Sequence, residues 1–372
     1  MPRVDCLQSV RDYNFDGTNR SCPLGGSQAV RRREARLLCR SSSLRFDQAF
    51  QLLISIAAAM ACAFATNVGH AAPIRIAYSS ISGAMLPLWV AKDKKLFEKY
   101  GVDVELAYIR GVAIEALLAG EVQFVRASPP AVVRSTLRGA DLAIIANTIN
   151  VAVFSLMTRR EISRPEDLKG KKIGVTNLGD SPDLVLTLLL ERWGLQRNKD
   201  LTVLGIRGGM PELMVSVSKG FVDGGMISAP SNLRGIKMGL RELVDAAEYG
   251  IPYVNSPLST RRTFIKTNRD TVLRVLRAYY EAVQETRNDK SAAMKVLAKY
   301  VRVDDPEILA EVYKSYGQKH LQPSIAVDIE AVKGLLKGLG REAQQFTPAN
   351  FVDASLYEKL EREGFLKRSP VE

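Results

Sequence analysis

The residues of this 372-residue chain best suited to chemistry are hydroxyls and amides that gather where short apolar runs end. Ser79, Ser80 and Ser82 follow the run Ile74–Tyr78, and Ser128 follows residues 122–125. Asn147 and Thr148 follow Leu142–Ala146, while Thr176, Asn177, Asp180 and Ser181 follow Lys172–Val175. Ser228 closes the run that Phe221-Val222-Asp223 opens, and Arg126 stands two residues before Ser128. Such groups hold a polar or anionic molecule through hydrogen bonds. Turns that leave a strand and enter a helix add backbone N–H groups at a helix N-terminus, which attract negative charge. Open α/β sheets bind their ligands at the carboxyl ends of strands. An arginine at such a place clamps a carboxylate or sulfonate through paired bonds. These twelve residues form the candidate binding set.

Each has a plainer role to weigh against binding. Ser181 also suits a helix N-cap, Asp180 a partner for the helix dipole, and Asn147 and Thr148 a simple turn. Arg126 reads equally as a solvated strand end. Arg110 and Arg207 follow strands too, and Phe154 and Tyr78 suit the core better than a ligand face. Asp223 reads as structural, because Gln123 holds the same place 100 residues earlier.

Scarcity excludes other chemistries. The only histidines are His70 and His320, and the four cysteines (Cys6, Cys22, Cys39, Cys62) all precede residue 73. A histidine-based metal site and a Ser-His-Asp hydrolase are therefore disfavoured, and no catalytic residue, metal or cofactor is expected. Gly174-Val175-Thr176-Asn177-Leu178-Gly179 does not supply the dinucleotide-binding glycine spacing. The net charge is +12, and the first 72 residues hold nine of the 52 Lys/Arg and five of the 40 Asp/Glu, which leaves a surplus of eight. That surplus is spread along helices, as on a solvated basic surface, with no nucleic-acid-binding signature.

The elements that must position the candidate set repeat. Ile74–Tyr78 alternates as a strand, Leu86, Trp89, Val90 and Phe97 recur at helical spacing, and Gly101 ends that helix. Residues 102–106 and 122–125 read as further strands, with a short helix between them ending at Gly120. The order recurs from Lys172, with Pro182 at a first helical position, Gly194 and Gly220 as stops, and strands at 201–206 and after 221. Two half-copies with polar turns at matching strand ends predict two similar lobes facing one another. Residues 151–160 and 251–267 read as the crossings between them. A long amphipathic helix follows Thr267 or Asn268, then helices near 290–300, 305–317, 324–338 and 355–363, with Tyr300, Tyr313 and Tyr316 as packing residues.

The segment 40–72 has the charged, apolar, small-residue order of an export signal, with Ala63-Phe64-Ala65 or Gly69-His70-Ala71 for cleavage. Lipid attachment at Cys62 is an alternative, weakened because Ala59-Met60-Ala61-Cys62 lacks a leading leucine. Residues 1–39 read as an unstructured prefix or a mis-called start.

The stretch from Gly83 to Glu105 resembles the periplasmic substrate-binding proteins of ABC importers, in the nitrate/sulfonate/taurine and thiamine-precursor group. The phrases at 116–124, 167–175 and 220–223 match the same pattern, so the resemblance spans about residues 73–345. It implies an α/β, two-lobed periplasmic binding protein type II-like fold with two interlobe crossovers. It implies lobe 1 at 73–155 and 260–372 and lobe 2 at 156–259. Ligand contacts are implied in the turns named above. The implied partners are a small-molecule solute and an ABC permease in the inner membrane, the location is the periplasm, and the protein is a monomer. A ligand-sensing module for a signalling partner would share this site. A thiamine-pyrimidine synthase-like enzyme would need histidine and a cysteine-rich motif, and residues 73–372 hold one histidine and no cysteine.

Overall fold

Among the described residues, ten strands pair into two separate five-stranded sheets. The computed structural model describes residues 72–366; residues 1–39, the segment read as an export signal up to Ala71 and all four cysteines lie outside the described residues. The first sheet is built from β1 (Ile74–Tyr78), β2 (Val104–Tyr108), β3 (Phe124–Arg126) and β4 (Leu142–Ala146). The second holds β5 (Ser155–Thr158), β6 (Lys172–Val175), β7 (Thr202–Gly205), β8 (Gly224–Ile227) and β9 (Arg241–Asp245). The chain then returns to the first sheet with β10 (Leu258–Arg261). The strand orders are β2-β1-β3-β10-β4 and β7-β6-β8-β5-β9. This is a two-lobed α/β fold with two crossovers.

Both sheets have the same internal plan. In the first, β1 runs parallel to β2 and β3, and β10 lies antiparallel between β3 and β4. In the second, β6 runs parallel to β7 and β8, and β5 lies antiparallel between β8 and β9. The antiparallel strand of each sheet is the one the chain forms just after crossing. Residues 155–158 and 258–261 read as linker in the sequence for a simple reason. β5 is buried along its whole length and β10 mixes Leu258 with Ser259, Thr260 and Arg261, so neither shows a period of two.

Local chemistry sets the helix ends. Gly101, Gly120, Gly194 and Gly220 all have positive φ, the left-handed conformation of a C-terminal stop. Pro182 lies in the first turn of the helix Ser181–Arg192, but the boundary is one residue earlier than Pro182 suggests: Asp180 is the N-cap and Ser181 is already helical. The helix Arg269–Asn288 turns Val272, Leu276, Tyr279 and Val283 inward against β1, β3 and the helix Leu86–Asp93. Trp89 is fully buried there and stacks on Tyr300 at 4.9 Å. Full burial of a large apolar side chain contributes roughly 1.5–3 kcal/mol.

A second core joins the opposite face of the first sheet (Ala77, Val125, Ile144) to Leu184, Val185 and Leu189 behind the second, through Phe154 and Tyr253 of the two crossings. The late helix Ile329–Gly338 joins this second core. Gly338 packs close to Leu184 and Leu188, so this part of the C-terminal region also reaches the second lobe.

Candidate functional site

The carboxyl ends of β1, β3, β6 and β8 face a cleft of about 410 Å³ between the two sheets. Nine of the twelve candidate residues line it: Ser79, Ser80, Ser82 and Ser128 from the first lobe, and Thr176, Asn177, Asp180, Ser181 and Ser228 from the second. Eight of them sit in the turn that follows a strand, and Ser181 is the first residue of the helix that such a turn enters. Ser80 and Ser82 bring their hydroxyl oxygens within 3.4 Å of each other. Ser228 ends β8 and leads into the helix Ser231–Lys237, and Ser231 also lines the cleft.

The two lobes touch at the floor. The backbone N–H of Ser181 donates to Ser128 Oγ at 3.2 Å, and the two hydroxyl oxygens are 3.3 Å apart. Arg134, on the helix Pro129–Leu137, donates to the carbonyl of Gly179. On the first lobe's side, the N–H of Gly83 donates to Ala229 O at 3.4 Å. Asn177 Nδ2 donates to Asp180 Oδ2 at 3.0 Å. Burial raises the Asp180 carboxyl above the ordinary aspartate value, and the bonds from Asn177 and Ser128 and the charge of Arg134 only partly offset it.

Three candidates do not reach the cleft. Arg126 shares a face of β3 with Phe124, is fully buried and lies over the Tyr279 ring at 5.2 Å. None of its guanidinium nitrogens has a hydrogen-bond partner among the described residues, and burial pushes its pKa down to about 9. It is neither a cleft clamp nor a solvated strand end, because the strand's alternation turns it into the core. Asn147 is buried and spends its amide on Ile149 O at 2.8 Å and Asn150 Oδ1 at 2.7 Å. Thr148 is buried with its hydroxyl 3.4 Å from that of Tyr279, and its carbonyl accepts from Gln322 N. Both hold the outward crossing in place.

The cleft also contains residues that strand-end reasoning passed over. Arg234 lies on the helix Ser231–Lys237, and its Nη2 donates to the carbonyl of Arg302 at 3.1 Å. Asn255 and Ser256 come from the return crossing. Gly208 and Gly209 follow β7, and Gly209 has a φ of +116°, which brings backbone to the wall without a side chain. Arg110, weighed only as a strand-end arginine, lines the rim, whereas Arg207 does not. Phe154 and Tyr108 supply aromatic wall. Tyr316 belongs to core and cleft at once, since its hydroxyl donates to Val153 O at 3.0 Å inside while the residue lines the cavity. No local signal in the sequence marks a helix-face arginine or a crossing residue as cleft lining; only the meeting of the two sheets does.

Among the described residues, no group of three or more His, Cys, Asp or Glu is placed to hold a metal ion, and no helix is long and apolar enough to cross a membrane.

The sequence matches the family described as NMT1/THI5 like over residues 83–293, more than half of the chain. No curated protein sequence matches it. Solved structures do. The alkanesulfonate-binding protein SsuA from Xanthomonas axonopodis pv. citri, bound to MOPS, is 19% identical with a TM-score of 0.60, covering 81% of this chain and 96% of its own. The periplasmic nitrate-binding protein NrtA from Synechocystis PCC 6803 is 13% identical with a TM-score of 0.65, covering 81% and 92%. The desulfurization enzyme DSZB is 15% identical with a TM-score of 0.57, covering 78% and 99%. At these identities the likeness is one of fold.

Proposed function

The chain belongs to the NMT1/THI5-like family, and from that premise we propose that it is an extracytoplasmic solute-binding protein. It captures a small organic anion or a related solute between its lobes and delivers it to the permease of an ABC importer. One observation carries the reading: the strand-end turns of two separate sheets, each rich in hydroxyls, converge on one cavity. Capture is closure of the lobes about the two crossings, with no bond made or broken. The division that goes with it falls a residue or two from the one read in the sequence, because β5 starts at Ser155 and β10 at Leu258: lobe 1 at about 73–154 and 258–372 and lobe 2 at about 155–257, acting as a monomer in the periplasm after removal of the export signal.

The residues proposed to hold the solute are Ser79, Ser80, Ser82, Ser128, Thr176, Asn177, Asp180, Ser181 and Ser228. Arg234 and Arg110 supply the positive charge once assigned to Arg126. Binding, not catalysis, is supported by the chemistry available: residues 73–372 offer one histidine, His320, and no cysteine. The alkanesulfonate- and nitrate-binding neighbours point the same way, and the desulfurization enzyme shows that the fold also carries chemistry.

The test is thermal shift on residues 73–372 against small anions, sulfonates, pyrimidines and aromatic acids. A ligand that binds only the folded state adds about 2.7 kcal/mol at a hundredfold excess over Kd. A hit should also contract the protein in small-angle scattering. A hit without contraction would remove lobe closure from the mechanism.

A further inference from the structure

The cleft is too large and too mixed in charge for a compact inorganic anion alone. A volume of about 410 Å³ falls within the roughly 300–1,000 Å³ of pockets that hold organic ligands, so a three- or four-atom oxyanion would leave most of it wet. Five charged side chains line it: Arg110, Glu115, Asp180, Glu212 and Arg234. Arg110, Glu115 and Glu212 are exposed at the rim. Only Asp180 and Arg234 are withdrawn from solvent, and both come from the second lobe. Arg234 spends one nitrogen on the carbonyl of Arg302.

Asp180 is harder to account for as scaffold. As the N-cap of the helix Ser181–Arg192 it makes no side-chain capping bond. Its neighbour Asp183 takes the Gly179 N–H at 2.7 Å and pairs with Arg197 at 2.8 Å. Ser128 takes the Ser181 N–H. Arg134, whose charge reaches Asp180, makes its hydrogen bond to the Gly179 carbonyl. The Asp180 carboxylate therefore accepts from Asn177 and shares the Ser128 hydroxyl, against a capacity of about four acceptor sites. A half-buried carboxylate that caps nothing and forms no ion pair costs stability, and it borders the cleft.

We propose that Asp180 sets the specificity of this cleft for an organic solute with an N–H-bearing group, an amine or amino-substituted ring, that donates to its carboxylate. The solute's remaining body lies against Phe154 and Tyr108, and its acidic end, where it has one, faces Arg234. This inference rests on the solute-binding reading and narrows it.

The experiment compares pairs of probes that differ only in an amino group: taurine and ethanesulfonate, 4-aminobenzoate and benzoate, 4-aminopyrimidine and pyrimidine. Each is assayed by thermal shift and calorimetric titration on residues 73–372, wild type, Asp180→Asn and Asp180→Ser. Asparagine and serine both serve as N-caps, so the helix start is preserved, and the two variants check one another for folding. The expected result is that an amino member raises Tm and its unsubstituted partner does not. Both variants then keep or exceed the unliganded wild-type Tm yet lose at least tenfold in affinity. Wild-type affinity should also fall as pH is lowered and the Asp180 carboxylate takes up its proton, a response both variants lack. Equal binding of the unsubstituted members, or full affinity in both variants, overturns the assignment of Asp180 and leaves the solute-binding reading standing. No shift from any of the six probes overturns the Asp180 assignment, and the solute-binding reading falls with it only if the wider library of anions, sulfonates, pyrimidines and aromatic acids is silent too.

Discussion

Ser128 and Ser181, one from each lobe, meet across the floor of the cleft with their hydroxyl oxygens 3.3 Å apart. The Ser181 N–H also donates to Ser128 Oγ at 3.2 Å. Because these groups follow β3 of one sheet and β6 of the other, the bond exists only when the lobes are together. It makes the solute-binding turns of both lobes one hydrogen-bonded unit. Ser128→Ala removes the acceptor and leaves a helix N–H without its partner. A net hydrogen bond contributes about 0.5–1.5 kcal/mol. The expected outcome is a loss of about three- to tenfold in solute affinity, a larger radius of gyration in the unliganded protein by small-angle scattering, and little change in Tm. Unchanged affinity and radius together would show that the contact does not report closure.

Arg126 makes the opposite prediction from a binding residue. Its guanidinium is fully buried without a hydrogen-bond partner among the described residues. Replacing even a buried ion pair by apolar side chains of similar volume is often neutral or stabilising by about 1–4 kcal/mol, and among the described residues Arg126 has no ionic partner to lose. Arg126→Met should therefore raise Tm at pH 7 and leave solute affinity alone. The sign with pH follows from a folded-state value that burial lowers to about 9, well below the ordinary arginine range. Between those values the unfolded chain holds more protons than the folded one, so wild-type stability rises with pH there. The advantage of Arg126→Met should shrink as pH climbs past about 9. Denaturant titrations at pH 7 and 10 measure both effects, and a destabilised Arg126→Met would return this arginine to a paired role.

Much of this fold was legible because the chain repeats itself, and one pair of side chains shows how deep the repeat goes. Gln123 Oε1 accepts the N–H of Arg75 at 2.8 Å, and Asp223 Oδ2 accepts the N–H of Lys172 at 2.8 Å. Both tie the start of the third strand of a half-copy to the start of its first. The parallel strands, the glycine stops and nine cleft residues could be read because each leaves a local mark. Arg126 could not, because the last residue of a strand can point to either face with the same local sequence. β5 and β10 were read as linkers, since a strand buried on both faces has no alternation to show. Arg234 and Asn255 are brought to the cleft by the docking of one lobe on the other, which no window of sequence records. The matched bonds give their own test: Gln123→Ala and Asp223→Ala should each cost about 0.5–1 kcal/mol, additively in the double variant because the sites share no partner. Denaturant midpoints check this, and a strongly non-additive double variant would mean the lobes do not unfold as separate hydrogen-bonded units.

Gly83 carries the most severe steric prediction. It opens the short turn Gly83–Met85 that follows Ser82 into the first helix. A Cβ placed there would lie 2.5 Å from Tyr316 Cδ2 and 2.8 Å from Val312 Cγ1. Neither neighbour can give way freely: Tyr316 is buried with its hydroxyl bonded to Val153 O, and Val312 is fully buried. Overpacking of this kind typically costs about 1–3 kcal/mol. Gly83→Ala should therefore lower stability by that amount. It should also weaken solute binding, because Tyr316 lines the cleft and Gly83 bonds across it to Ala229. Tyr316→Phe with Gly83→Ala discriminates the causes. Removing the hydroxyl frees the ring to shift, so the double variant should recover part of the affinity if the ring's displacement is what blocks the cleft. If affinity stays at the Gly83→Ala level while Tm recovers, the loss comes instead from the Gly83 to Ala229 contact between the lobes.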